Sequence, residues 1–278
     1  MSRKKLPARS ANRKATSRLQ LQGAAAMSRG WSVPQRWVKN FVGVFLLPVA
    51  WVLTQTFFSA FSKAGHDADF WMSEEFWFFG LGAALWTLWF FGSIWSLGQP
   101  RPLRAYVFGH ELTHAIWVWM WGGRVSHMEV SREGGYILTD THNFWIALAP
   151  YFYPLYSLVV VIGFGVASLF WDITHVRETF MLMTPMQWMF LLLGATWAFH
   201  LSFTIWMIPK GQTDLTYHGT FFSLVIIYLM NLLLVAVILI VGSRHLSFAG
   251  FGRALLENAE TFSAQAVAVY RQVRAAMP

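Results

Sequence analysis

The sequence predicts an all-α polytopic membrane protein of about six transmembrane helices, with one small β-hairpin after the third. Three observations carry that reading. Hydrophobic residues make up 56% of the 278 and charged residues only 12%, with a mean hydropathy of +0.44, which leaves too little polar surface for a soluble domain of this length. Apolar runs recur at about 41–61, 76–97, 104–121, 144–170, 186–208 and 221–242, against the roughly 20 residues a helix needs to cross the hydrocarbon. Trp and Tyr crowd many of their ends, as interface anchors do.

The chain divides into a basic tail at 1–40, two N-terminal spans within 41–103, a core at 104–220, a last span at 221–243 and a C-terminal segment at 244–278. Residues 1–39 hold ten of the 21 Lys and Arg and no acid, which suits a disordered, cytoplasmic tail lying near anionic lipid. They lack the interleaved aromatics of a nucleic-acid-binding segment, and none is expected as a partner. The loop at 62–75 sets Asp67, Asp69, Glu74 and Glu75 against Lys63, so it can lie outside, and the link with Arg101 and Arg104 returns inside. Residues 124–130 and the stretch from Tyr136 alternate around SREGG, which predicts the hairpin. Gly163, Gly165, Ala167 and Ser168 let helices approach closely. In 252–275, Leu255, Leu256, Ala259, Phe262, Ala266, Val269 and Val273 recur every three to four residues. That spacing predicts an amphipathic helix on the membrane surface or against a partner.

The third run contains His110, Glu111 and His114 in the pattern H-E-x-x-H. Residues at i and i+4 share a helix face, so both imidazoles can reach one metal ion, while Glu111 is turned aside and left free as a general base. Ionisable groups at bilayer depth cost roughly 2.5 kcal/mol or more, and they are kept where they are functional or paired. Cysteine is absent, which excludes thiolate ligands and disulfides. A hydrolytic zinc site takes three protein ligands and keeps a fourth position open. His200, Asp214 and His218 are the candidates for the third, each also readable as a packing, loop or interface residue.

The order of these parts resembles the site-2 protease family of intramembrane zinc metalloproteases. In that family H-E-x-x-H is followed by a Gly and a short β-element, then by helices ending in N-x-x-P-x-x-x-x-L-D-G, whose aspartate is the third ligand. Here HELTH precedes GGRVSHMEVSREGG, and Pro209 precedes Asp214. The resemblance covers about 104–220. Trp206 stands at the family's Asn, the local sequence is T-D-L, and strict spacing would put the aspartate at Leu215.

The resemblance implies one zinc per chain held by His110, His114 and Asp214, with His200 and His218 as alternative ligands or outer partners. It implies Glu111 as the base, and hydrolysis of peptide bonds in or near transmembrane segments of other membrane proteins. A substrate strand would pair with the hairpin around Arg124, Val130 and Tyr136. Pro150 and Pro154 in APYFYP would kink the fourth span. Many relatives turn this β-element to the cytosol, whereas six spans and the charge count put 122–143 outside. A different class of function would be a non-catalytic zinc-binding membrane protein: a structural site, a transporter or a protease-like scaffold.

Overall fold

The computed structural model describes residues 35–65, 73–131, 134–173, 181–242 and 246–277; the basic tail before Gln35, Asp67 and Asp69 lie outside them. Ten α-helices and one hairpin follow in order among these residues: α1 (Gln35–Phe45), α2 (Leu47–Gly65), α3 (Glu74–Leu97), α4 (Leu103–Met120), β1 (Val125–Val130), β2 (Gly135–Thr139), α5 (Phe144–Leu148), α6 (Leu155–Ser168), α7 (Pro185–Met207), α8 (Thr213–His218), α9 (Thr220–Gly242) and α10 (Phe248–Ala276). Single 3-10 turns at Ala149–Tyr151 and Ile208–Lys210 join α5 to α6 and extend α7. Helix α1 begins inside the stretch expected to be tail.

Local chemistry fixes several boundaries. Ser73 caps α3 by accepting from the Phe76 N–H, Glu74 and Glu75 face its positive end, and Gly98 closes it at φ 71°. Thr184 and Gln187 form a capping box on α7, with Pro185 in the first turn where its missing N–H costs nothing.

Helices α3 and α7 pack closely against each other. A Cβ on Gly82 would meet the Leu191 carbonyl oxygen at 1.9 Å, and one on Gly194 the Phe79 carbonyl oxygen at 2.0 Å, so only glycine lets these backbones touch. Trp86 Nε1 donates to Ser202 Oγ across the same seam at 2.9 Å. An aromatic cluster of Phe90, Tyr106, Phe199 and Phe203 wedges α4 against this pair. On the other side α9 packs on α1 and, through Ala50, Leu53, Val225 and Leu229, on α2. Helix α10 docks on α2 by its first half, where Asn258 donates to Thr56 Oγ1 at 3.0 Å, and exposes Val267, Val269, Tyr270 and Val273 in its second.

Among the described residues four helical stretches are long and apolar enough to cross a membrane: Trp37–Ala60, Glu74–Leu97, Pro185–Lys210 and Thr220–Ile238. A fifth arises if the pair Phe144–Tyr151 and Leu155–Ser168, bent by 78°, counts as one span. The H-E-x-x-H helix is not among them. It is 18 residues long, but Arg104, His110, Glu111 and His114 lower its apolarity. The expected kink at Pro150 and Pro154 is a full break, because neither proline can donate to the turn before it. Large apolar side chains such as Trp77, Leu81, Leu88 and Trp95 are exposed along α3, as lipid contact requires.

Candidate metal centre

Helix α4 sets His110 and His114 one turn apart, with ring centroids 4.9 Å apart. Each Nε2 points to the same atom, Asp214 Oδ2 on α8, at 3.5 Å. Among the described residues these three form the group of His and acidic side chains able to hold a metal ion, with one donor atom each and all within 4.8 Å of one another. Their spacing fits an ion better than direct bonding. A charge-assisted N–H···O bond closes to about 2.8 Å, whereas ligands about 2.0–2.1 Å from a tetrahedral zinc lie about 3.4 Å apart.

The outer nitrogens complete the fit. His114 Nδ1–H donates to the Ile146 carbonyl at 2.8 Å, and His110 Nδ1 lies 3.3 Å from the Tyr106 hydroxyl. Both rings therefore present Nε2 inward, the orientation a metal ligand needs. Tyr106 is itself held by stacking on Phe203, 4.6 Å away and tilted by 10°. Tyr151, fully buried at the break between α5 and α6, donates its hydroxyl to Asp214 Oδ2 at 3.3 Å and sets its ring edge-on to His110. Its carbonyl accepts from Asn231 on α9 at 2.9 Å. Burial alone would raise the Asp214 carboxyl; the close approach of His110 and His114 outweighs it and holds the group well below the usual carboxylate range.

Glu111 is buried beside the group but outside it. It borders a cavity of about 280 Å³ that is also lined by the three candidate ligands, His142, Gln212 and Thr213. The opposite wall is β2: residues 134–137 and 139 all contribute. Neighbouring residues on a strand face opposite sides, so a consecutive run presents the strand's edge rather than a face. Among the described residues β2 pairs only with β1, in register from Val125↔Thr139 to Val130↔Gly135, and this edge has no partner strand. Gly135 lies directly against the Glu111 side chain.

The other expected residues fall elsewhere. His200 is buried on α7, bonds to the Tyr151 backbone and leaves Nε2 without a partner beside a cavity of about 20 Å³ behind His110. His218 is buried one turn beyond Asp214, with Lys39 on Nδ1 and the His142 ring stacked on it at 5.4 Å. Neither belongs to the group of three. Of Arg124, Val130 and Tyr136, the hairpin residues expected to pair with substrate, only Tyr136 borders the cavity. Val130 packs on the aromatic cluster, and the Arg124 N–H donates to Asp140 Oδ1 at the hairpin base.

Tyr106, Tyr151, His142 and Lys39 were not legible as site residues. Tyr106 alone carried a signal, standing one turn before His110 on the same face. Comparison with protein-family models, curated proteins and solved structures finds no match to this chain.

Proposed function

We propose that the protein is an intramembrane zinc metalloprotease of site-2 protease type, which hydrolyses peptide bonds in or near transmembrane segments of membrane proteins. The observation that carries this reading is the convergence of His110 and His114 with Asp214, a hundred residues downstream, while Glu111 stands outside that group and borders an open cavity. A site built only to hold a metal has no use for a free carboxylate and a vacant cavity beside the ligands.

His110, His114 and Asp214 would hold the ion. Zinc, when bound there, polarises a scissile carbonyl and brings the pKa of a water towards about 7. Glu111 takes a proton from the water that adds to the carbonyl carbon, then delivers it to the nitrogen as the C–N bond breaks. Tyr151 keeps Asp214 aimed, and Tyr106 and the Ile146 carbonyl keep the imidazoles aimed. An unwound stretch of substrate would add to the free edge of β2 near Tyr136, which satisfies backbone groups of both chains away from water.

The charge of residues 1–39 supports a cytoplasmic N-terminus. If α4 enters the membrane without crossing it, two spans precede the hairpin. The hairpin then lies on the side of the tail, where the resemblance expects it.

The test is metal content and cleavage on the full chain in detergent. Wild type should carry one zinc, His114→Ala and Asp214→Ala should lose it, and His200→Ala should keep it. Glu111→Gln should keep zinc and stop cleavage of a co-expressed transmembrane reporter. Zinc retained in Asp214→Ala would remove the third ligand from this account. Cleavage unchanged in Glu111→Gln would leave a zinc-binding protein with no protease chemistry at this site.

A further inference from the structure

Asp214 is carried by a helix of only six residues, Thr213–His218. Isolated helices shorter than about 12–15 residues are marginal, so the position of this ligand is set by what α8 docks against. Part of that dock is apolar: Leu215 is buried among Leu148, Tyr151 and Ile227. Ser223 Oγ donates to the Leu215 carbonyl at 3.1 Å.

The rest is polar and comes from the other end of the chain. His218 follows Asp214 by four residues and shares its helix face. It is 3% exposed, and its Nδ1 is in hydrogen-bond contact with the Lys39 ammonium from α1. An ammonium can only donate, so Nδ1 accepts and the ring proton sits on Nε2, which is buried without a partner. The neighbouring residue of α1, Asn40, accepts from the Phe222 N–H with Oδ1 at 3.2 Å. That N–H is one of the unpaired donors in the first turn of α9. Two consecutive polar side chains of α1 thus straddle the joint between α8 and α9. His218 is buried and Lys39 half-buried, and a polar contact between them fixes the angle of α8 against α1 in a way that apolar packing would not.

We infer that Lys39 and Asn40 are positioning residues for the third metal ligand: through His218 and the start of α9 they fix α8 so that Asp214 faces His110 and His114. The inference rests on the metal-site reading above. It makes the N-terminal helix, which lies outside the 104–220 stretch bearing the H-E-x-x-H motif, a part of the metal centre.

The experiment measures Zn²⁺ affinity of the full chain in detergent by competition with a chromophoric chelator, and the visible spectrum of the Co²⁺-loaded protein. Lys39→Met keeps the apolar stem and removes the donor. It should weaken Zn²⁺ about 10- to 100-fold, the usual effect of losing an outer partner, and alter the Co²⁺ bands that report ligand geometry. Lys39→Arg should restore most of the affinity and the wild-type spectrum. In the Asp214→Ala background the effect should vanish: adding Lys39→Met should weaken residual binding no further, because the lysine acts only through that ligand. Should Lys39→Met fold poorly, His218→Phe, which keeps a ring against His142 without an acceptor, must reproduce the loss. Wild-type affinity and spectrum in either folded variant would overturn this inference alone. No zinc on the wild type would bring down the metal-site reading and this inference with it.

Discussion

Gly135 is the position where a single carbon atom should separate metal binding from catalysis. A Cβ there would lie 2.6 Å from Glu111 Cγ, 2.9 Å from Glu111 Oε1 and 2.8 Å from the Glu129 carbonyl oxygen. The backbone at 135 does not occupy the left-handed region, so alanine meets these contacts and no conformational penalty. To regain ordinary contact at 3.4 Å, Glu111 must withdraw by about 0.8 Å, and a misplacement on the order of 1 Å costs about 100-fold in rate. Gly135→Ala should therefore keep its zinc and lose about two orders of magnitude in cleavage. Overpacking of this kind costs about 1–3 kcal/mol. Two of the three crowded atoms belong to Glu111, so most of that cost should disappear when Gly135→Ala is made in Glu111→Ala, leaving only the carbonyl contact. Thermal unfolding of the four proteins in detergent reads the coupling without any substrate. Equal destabilisation in both backgrounds, or zinc lost together with activity, would refute the contact as the cause.

Three further outcomes concern other contacts. Tyr151→Phe removes the hydroxyl on Asp214 and should weaken zinc about tenfold by chelator competition, and an unchanged affinity would show that the 3.3 Å contact does not orient the ligand. Gly194→Ala drives a methyl onto the Phe79 carbonyl oxygen at 2.0 Å, backbone against backbone, and should sharply lower the thermal midpoint and the folded yield; a midpoint like wild type would mean that α3 and α7 do not meet there. Burial, then the charges of Lys39 and His142, hold His218 down from 6.5 to about 4. Its folded form stays neutral where the unfolded chain takes up a proton, so its share of stability is present above pH 6.5 and is lost as pH falls from 6.5 towards 4. His218→Gln should flatten the acid-side fall in thermal midpoint over that window, and an identical slope would refute the assignment.

Local signals in the sequence were readable because their causes are local. The H-E-x-x-H face follows from helical periodicity, the hairpin from alternation around glycines, and the C-terminal helix from spacing at three to four residues. Asp214 was one of three candidates for the third ligand, and only a resemblance in the order of parts favoured it over His200 and His218. The structure then brought it to the two histidines. What stayed hidden depends on how distant helices meet. Tyr151 becomes an outer partner because Pro150 and Pro154 break the helix and turn its hydroxyl towards Asp214, which no periodicity reveals. His142 and Lys39 meet His218 only after α1 folds against α8 and α9. The count of spans fell short of six for a related reason. Periodic apolarity marks 104–121 and 144–170 as continuous runs, but the polar face of α4 and the two prolines take them out of the class of straight spans.

The wide separation of the candidate ligands along the chain bears on biogenesis. Two of them emerge from the ribosome early, and the third about a hundred residues later, after the broken pair and α7. A chain halted before Asp214 offers a two-histidine site that binds zinc weakly, and closing so long a loop is entropically costly unless the intervening helices have already docked. If zinc binds there, its capture would wait until α8 has docked, and a nascent chain would lack the assembled site up to that point.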